Sequence, residues 1–139
     1  MHAYLEVLPP AHRYAFARLR LGGHGLGIEL GRYESPQIPP EARYCRFCRS
    51  SRLVEDEVHI LGQCYGSVEL FEEREELVTA LNVLDSAEIG RGCTLTTLQF
   101  VPVWDSLLNS QAPGVVELIG RYVYRCLKIT HAKKWRPAH

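Results

Sequence analysis

Cys45, Cys48, His59 and Cys64 are spaced C-x2-C-x10-H-x4-C, a pattern whose four donors can close around a single metal ion. Structural zinc is tetrahedral, held by Cys sulfur and His nitrogen at about 2.0–2.3 Å. Two cysteines two residues apart can face one ion from a tight turn. The second pair, His59 and Cys64, must complete the tetrahedron from elsewhere in the chain. On a continuous helix these two would point about 140° apart, at about 100° per residue. One shared metal therefore requires the helix to end or distort between them, and Gly62 sits where that can happen. A Cys-x2-Cys redox pair would open a helix in a βαβ context, and no such context is visible here. A catalytic Cys–His pair would leave two thiols unexplained, and a catalytic zinc would keep one position open for water. Four ligands on offer favour a closed structural Zn2+ site.

The remaining composition is consistent with that reading. Five cysteines is an odd number for complete disulfide pairing. The N-terminal MHAYLEVLPPAHR has no basic region followed by an apolar one, so no secretory signal is expected and the thiols are expected to stay reduced. At 139 residues the chain suits one compact domain, 1–139, divided into a knuckle region with its preceding helix (10–66) and a helical tail (67–139). No apolar run is long enough to span a bilayer. An intracellular protein, nuclear or cytoplasmic, without a membrane or small-molecule partner is the expectation.

A net charge of zero hides a strong segregation. Residues 1–53 carry eight Lys/Arg against four Asp/Glu, residues 54–112 two against eleven, and residues 113–139 six against one. Basic ends of this kind are the usual footprint of a polyanion partner. The alternative is that the basic ends fold against the acidic middle and neutralise it.

Periodicity predicts a mainly α fold, a small helical domain of about five helices with a zinc-knuckle β-hairpin inserted. A short helix is expected over AHRYAFARLRL, with Pro10 at its start and Ala11, Tyr14, Ala15, Leu19 and Leu21 as its apolar positions. The glycine-rich GGHGLG then breaks regular structure. Residues 41–54 read as two short extended arms about a turn. VEDEVHIL reads as a helical start with Glu55, Asp56 and Glu57 in its first turn and Gly62 as a stop. A longer helix follows over 67–85, capped by Ser67, with Leu70, Phe71, Leu77, Val78, Leu81 and Leu84 on one stripe. TLTTLQFVPVWDSLLNS reads as helical with a break at Pro102. The strongest pattern is the final helix, 113–134. Val115, Ile119, Tyr122, Cys126 and Ile129 form its stripe, with Val116, Val123 and Leu127 beside them.

The other chemically interesting residues have plainer readings. Cys126 lies on the apolar stripe and reads as a core thiol, while Cys93 falls in a loop without a ligand-spaced partner. His24 reads as a local hydrogen-bonding group, and His12, His131 and His139 as surface residues. Phe47 can stack on a base, but a lid packed over the metal or a neighbouring helix is preferred.

Together RLRLGGHGL, a proline-containing spacer, RYCRFC, VEDEVHILGQC and LFEEREEL resemble the C-terminal zinc-binding segment of non-LTR (LINE-like) retrotransposon reverse transcriptases. In that family a helix ending in an RLR-type motif and a Gly-His step precede Cys-x2-Cys. An acidic stretch then leads into His-x4-Cys, and a helix with an early arginine follows. The matching positions are Arg18, Leu19, Arg20, Gly23 and His24, then Cys45 and Cys48, Glu55, Asp56 and Glu57, His59, Cys64 and Arg74. The likeness covers roughly residues 10–80, and Tyr65 stands where many relatives have proline. No polymerase aspartate pair, endonuclease or RNase H carboxylate set is present. The resemblance implies a non-catalytic CCHC module that binds nucleic acid, RNA or DNA, with phosphate contacts expected from Arg13, Arg18, Arg20, Arg43, Arg46, Arg49 and Arg52. The alternative is a zinc-stabilised protein–protein interaction module, or an inactive remnant of a retroelement.

Overall fold

The computed structural model describes residues 3–84 and 100–137 and is mainly helical. Six α-helices lie in this region: α1 (Ala3–Val7), α2 (Pro10–Leu21), α3 (Gly27–Leu30), α4 (Val68–Val83), α5 (Phe100–Leu108) and α6 (Pro113–His131). Cys93 and His139 lie outside the described residues.

The helix α6 is the axis of the packing, touching α1, α2, α4 and α5. Its stripe is buried as the spacing predicts: Val115, Val116, Ile119, Tyr122, Val123, Cys126 and Leu127 are all in the core, and Ile129 is half-buried. Each such aliphatic side chain contributes about 1.5–3 kcal/mol by leaving water. Leu8 lies directly over Gly120, where a β-carbon would overlap its side chain. The helix ends at His131, three residues earlier than its charge pattern implies, and the chain turns back so that Trp135 is buried.

Other elements depart from the sequence reading in instructive ways. Pro10 does open α2, and Gly22 closes it in the left-handed conformation (φ 81°), with Gly23 N–H donating to Arg18 O. The buried face, however, is Ala15, Phe16 and Leu19, whereas Tyr14 and Leu21 are largely exposed. The stripe is rotated because Phe16 packs against Tyr4 of α1, a helix that the two prolines at 9 and 10 obscured. Ser67 caps α4, its Oγ accepting from Leu70 N–H. The core face of α4 is Leu70, Arg74, Leu77, Val78 and Leu81, so a charged residue replaces Phe71 on the buried side. Pro102 lies in the first turn of α5, where no backbone N–H is needed, and it does not break the helix. No helix among the described residues is long and apolar enough to cross a membrane.

The expected β-hairpin is reduced to a single antiparallel bridge, Tyr44 with Val54. Cys45 N–H donates to Leu53 O and Glu55 N–H to Arg43 O, and no sheet forms among the described residues. Short 3-10 turns flank the bridge, because the chain between the arms is occupied in presenting Cys45 and Cys48.

Candidate metal centre

Cys45 and Cys48 come from the turn that follows the bridge. Ser51 N–H and Oγ–H both donate to Cys48 O, and Arg52 takes a left-handed conformation (φ 56°) to bring the chain back. Phe47 N–H points at Cys45 Sγ at 3.4 Å, a stabilising contact for a thiolate. Gly66 lies against this turn so closely that a β-carbon on it would sit 2.7 Å from the Phe47 carbonyl oxygen.

The second pair is set by a widened helical turn. Asp56 Oδ1 accepts from His59 N–H and starts the helix, which then expands over His59–Gln63 into an i→i+5 turn. Cys64 N–H donates to His59 O at 2.7 Å, so the residue five positions on lies back over His59. This is the distortion that one shared metal requires. Gly62 lies inside the widened turn and does not stop it. Glu55 precedes the turn and is fully buried, so the three acidic residues do not share a helical first turn.

The four ligand atoms lie within 4.8 Å of one another. Cys45 Sγ and Cys64 Sγ are 3.8 Å apart, Cys64 Sγ and Cys48 Sγ 4.0 Å, and Cys48 Sγ and His59 Nε2 3.1 Å. Sulfurs bound to one tetrahedral ion at about 2.3 Å would be separated by about 3.8 Å. The residues fit a metal ion on chemistry as well as spacing. Cys45, Cys64 and His59 are buried and Cys48 half-buried, and His59 Nδ1 lies inside without a hydrogen-bond partner while Nε2 faces the sulfurs. The Cys45 thiol is pushed up to about 12 by its contact with Cys64 and by burial, and burial also raises Cys48. Cys64 is lowered by its bond from Cys45. The raised Cys45 and Cys48 thiols hold protons that a bound cation would displace.

Two buried arginines hold the surroundings. Arg74 is fully excluded from solvent, and its guanidinium donates to the carbonyls of Ile60, Leu61 and Cys64, the end of the widened turn. The Tyr122 hydroxyl of α6 also donates to Leu61 O. Arg46, between the two knuckle cysteines, points away from the sulfurs. It pairs with Glu55 and donates to Thr130 O, Lys133 O and Gly25 O. Glu55 in turn accepts from Gly27 N–H and Arg46 N–H. His24 is buried. Its Nδ1 accepts from Leu26 N–H, which places the ring proton on Nε2, and Nε2–H donates to Glu57. It is a local hydrogen-bonding group, as its loop position suggests. His131 is not purely a surface residue, since its Nε2–H donates to His24 O.

The seven arginines expected at a phosphate surface do not share one. Arg43 is buried, donating to Ile28 O and Ile38 O, and Arg46 is internal, so both guanidinium groups are committed to the fold. Arg13 donates to Leu8 O, and Arg20 reaches Leu108 O and Asn109 beside α5. Arg49 is half-buried with Nε and Nη2 unpartnered, and Arg52 is exposed. Arg18 donates through Nε to Gly23 O and lines a groove with Lys133 and Lys134. Tyr33 belongs to the same groove, and no spacing in the sequence singles it out. The α4 carboxylates Glu73 and Glu76 approach Arg125 of α6. Phe47 packs partly against the core, and Lys133 Nζ lies over its ring.

Comparison with protein-family models finds no match, and neither a curated protein nor a solved structure matches the chain.

Proposed function

We propose that this chain is a zinc-stabilised, non-catalytic module that binds nucleic acid, as its resemblance to the zinc-binding tail of non-LTR retrotransposon reverse transcriptases implies. Three thiolates and one imidazole in a closed, mostly buried tetrahedron suit zinc, which has no geometric demand beyond four soft or borderline donors. The observation that carries the nucleic-acid reading is the placement of charge. Arg18, from the basic N-terminal part, and Lys133 and Lys134, from the basic C-terminal part, share one groove. The acidic α4 meets Arg125 instead.

The test begins with metal content of protein purified without added zinc, beside Cys45→Ser. One zinc per chain, lost in the variant, is expected. RNA and DNA binding by the zinc-loaded protein should then fall with salt at a log–log slope of about −0.7 to −0.9 per phosphate contact. Absence of metal with an intact fold, or salt-independent binding, would defeat the reading.

A protein-interaction role is favoured by one separate feature. Tyr65, Val68 and Phe71 are exposed together at the start of α4, next to the exposed Glu69 and Glu72. A basic, amphipathic partner would suit that patch. Loss of partner binding in Val68→Asp, with nucleic-acid affinity unchanged, would support this second role.

A further inference from the structure

We propose that the groove between the end of α2, the turn at 31–34 and the segment following α6 is a single-stranded nucleic-acid site, with phosphates on Arg18, Lys133 and Lys134 and a base stacked on Tyr33. The proposal rests on the nucleic-acid reading above and specifies where and in what form the strand binds.

The groove is shallow and open to solvent along its length, with a volume of about 640 Å³. Its floor is firmly held. Arg46 donates to Gly25 O on one side and to Lys133 O on the other. Trp135 is buried and its Nε1–H donates to Tyr44 O, fixing the chain just beyond the two lysines. His131 Nε2–H donates to His24 O and closes the end near Gly25. Arg18, Lys133 and Lys134 line the groove beside Arg46, which is paired with Glu55, and Glu34 is the one carboxylate on the lining.

Tyr33 decides the form of nucleic acid. It is 72% exposed, and Arg32 lies 5.9 Å from its centroid. An exposed ring on the same lining as cations that can hold phosphates offers a stacking platform. Only an unstacked base can use it, because bases in a duplex already stack on each other. Every base has a π face, so little sequence preference is expected.

The experiment is anisotropy titration of the intact, zinc-loaded chain with a labelled oligouridine, its deoxythymidine counterpart and a duplex, each of about ten nucleotides. Single strands should bind more tightly than duplex. Tyr33→Ala should weaken single-strand binding by about five- to 150-fold, and Tyr33→Phe should retain it. Lys133→Gln/Lys134→Gln should lower affinity and reduce the salt slope by about 1.4, two contacts at 0.7 each. Arg121→Gln, a charge removed from the exposed face of α6 outside the groove, is the control and should leave binding unchanged. Melting curves check that each variant keeps the fold. Binding that is equal for duplex, or indifferent to Tyr33 and the lysine pair, overturns the groove while leaving nucleic-acid binding intact. No binding to any of the three probes overturns both.

Discussion

Arg46 Nη2 lies 2.7 Å from Glu55 Oε1 with both side chains excluded from solvent, so the turn that presents two metal ligands is tied to the chain on either side of it by a buried ion pair. Removing one partner of such a pair leaves an uncompensated buried charge, at a cost of about 3–5 kcal/mol. Arg46→Met should be destabilised by that amount in urea unfolding of the metal-loaded protein. Arg46→Met/Glu55→Gln should recover part of the loss, because Gln is neutral and still accepts from Gly27 N–H. A single variant that costs less than about 1 kcal/mol would contradict the structural role assigned to the pair.

Arg74 supports the other half of the site, donating to the carbonyls of Ile60 and Leu61 within the widened turn and of Cys64 just after it. Groups that orient ligands typically change metal affinity by about 10- to 100-fold when removed. Arg74→Met should show a loss of that size in competition with a chromophoric chelator, with helical circular dichroism largely kept by the metal-loaded form. Unchanged affinity would reduce Arg74 to a packing residue.

Gly66 and Gly114 make opposite predictions for the same substitution. A β-carbon at Gly66 would lie 2.7 Å from backbone atoms of Phe47, which cannot rotate away, and 2.8 Å from Cys48 Cβ. Gly66→Ala should therefore cost about 1–3 kcal/mol and loosen metal binding. At Gly114, in the first turn of α6, the nearest atom would be a Leu84 methyl at 3.5 Å. Gly114→Ala should be neutral or stabilising by up to about 1 kcal/mol, because alanine is the better helix former. Thermal melts of both variants check the pair, and a reversed order would refute the close approach at Gly66.

Glu57 gives a signed dependence on pH. The bond from His24 holds its carboxyl below the ordinary value of 4.5, against the opposing effect of burial. The unfolded chain then binds the proton more readily, so this contribution is present above 4.5 and is lost as pH falls through the lower folded value. The melting-temperature difference between wild type and Glu57→Gln should be largest near neutral pH and shrink in acid. Metal release in acid affects both proteins, which is why the difference is the informative quantity. A difference independent of pH would count against the His24–Glu57 bond.

Features that depend on local spacing were legible in the amino-acid order. The four metal-ligand candidates, the need for a distorted turn between His59 and Cys64, the Ser67 cap and the apolar stripe of α6 all follow from covalent intervals and helical geometry. Which charged residues lie at the surface and which inside depends on contacts between distant segments. Arg46 reads as a surface cation because the carbonyls it serves, at Thr130 and Lys133, lie 84 and 87 residues away. Arg43, Glu55 and Arg74 are buried for the same kind of reason, with acceptors or donors contributed by segments that come together only when the chain folds. The groove of Arg18, Tyr33, Lys133 and Lys134 belongs to this second class. Its members are scattered in sequence, and they become neighbours because α6 packs on α2 and the buried Arg46 and Trp135 fold the C-terminal segment back against the knuckle.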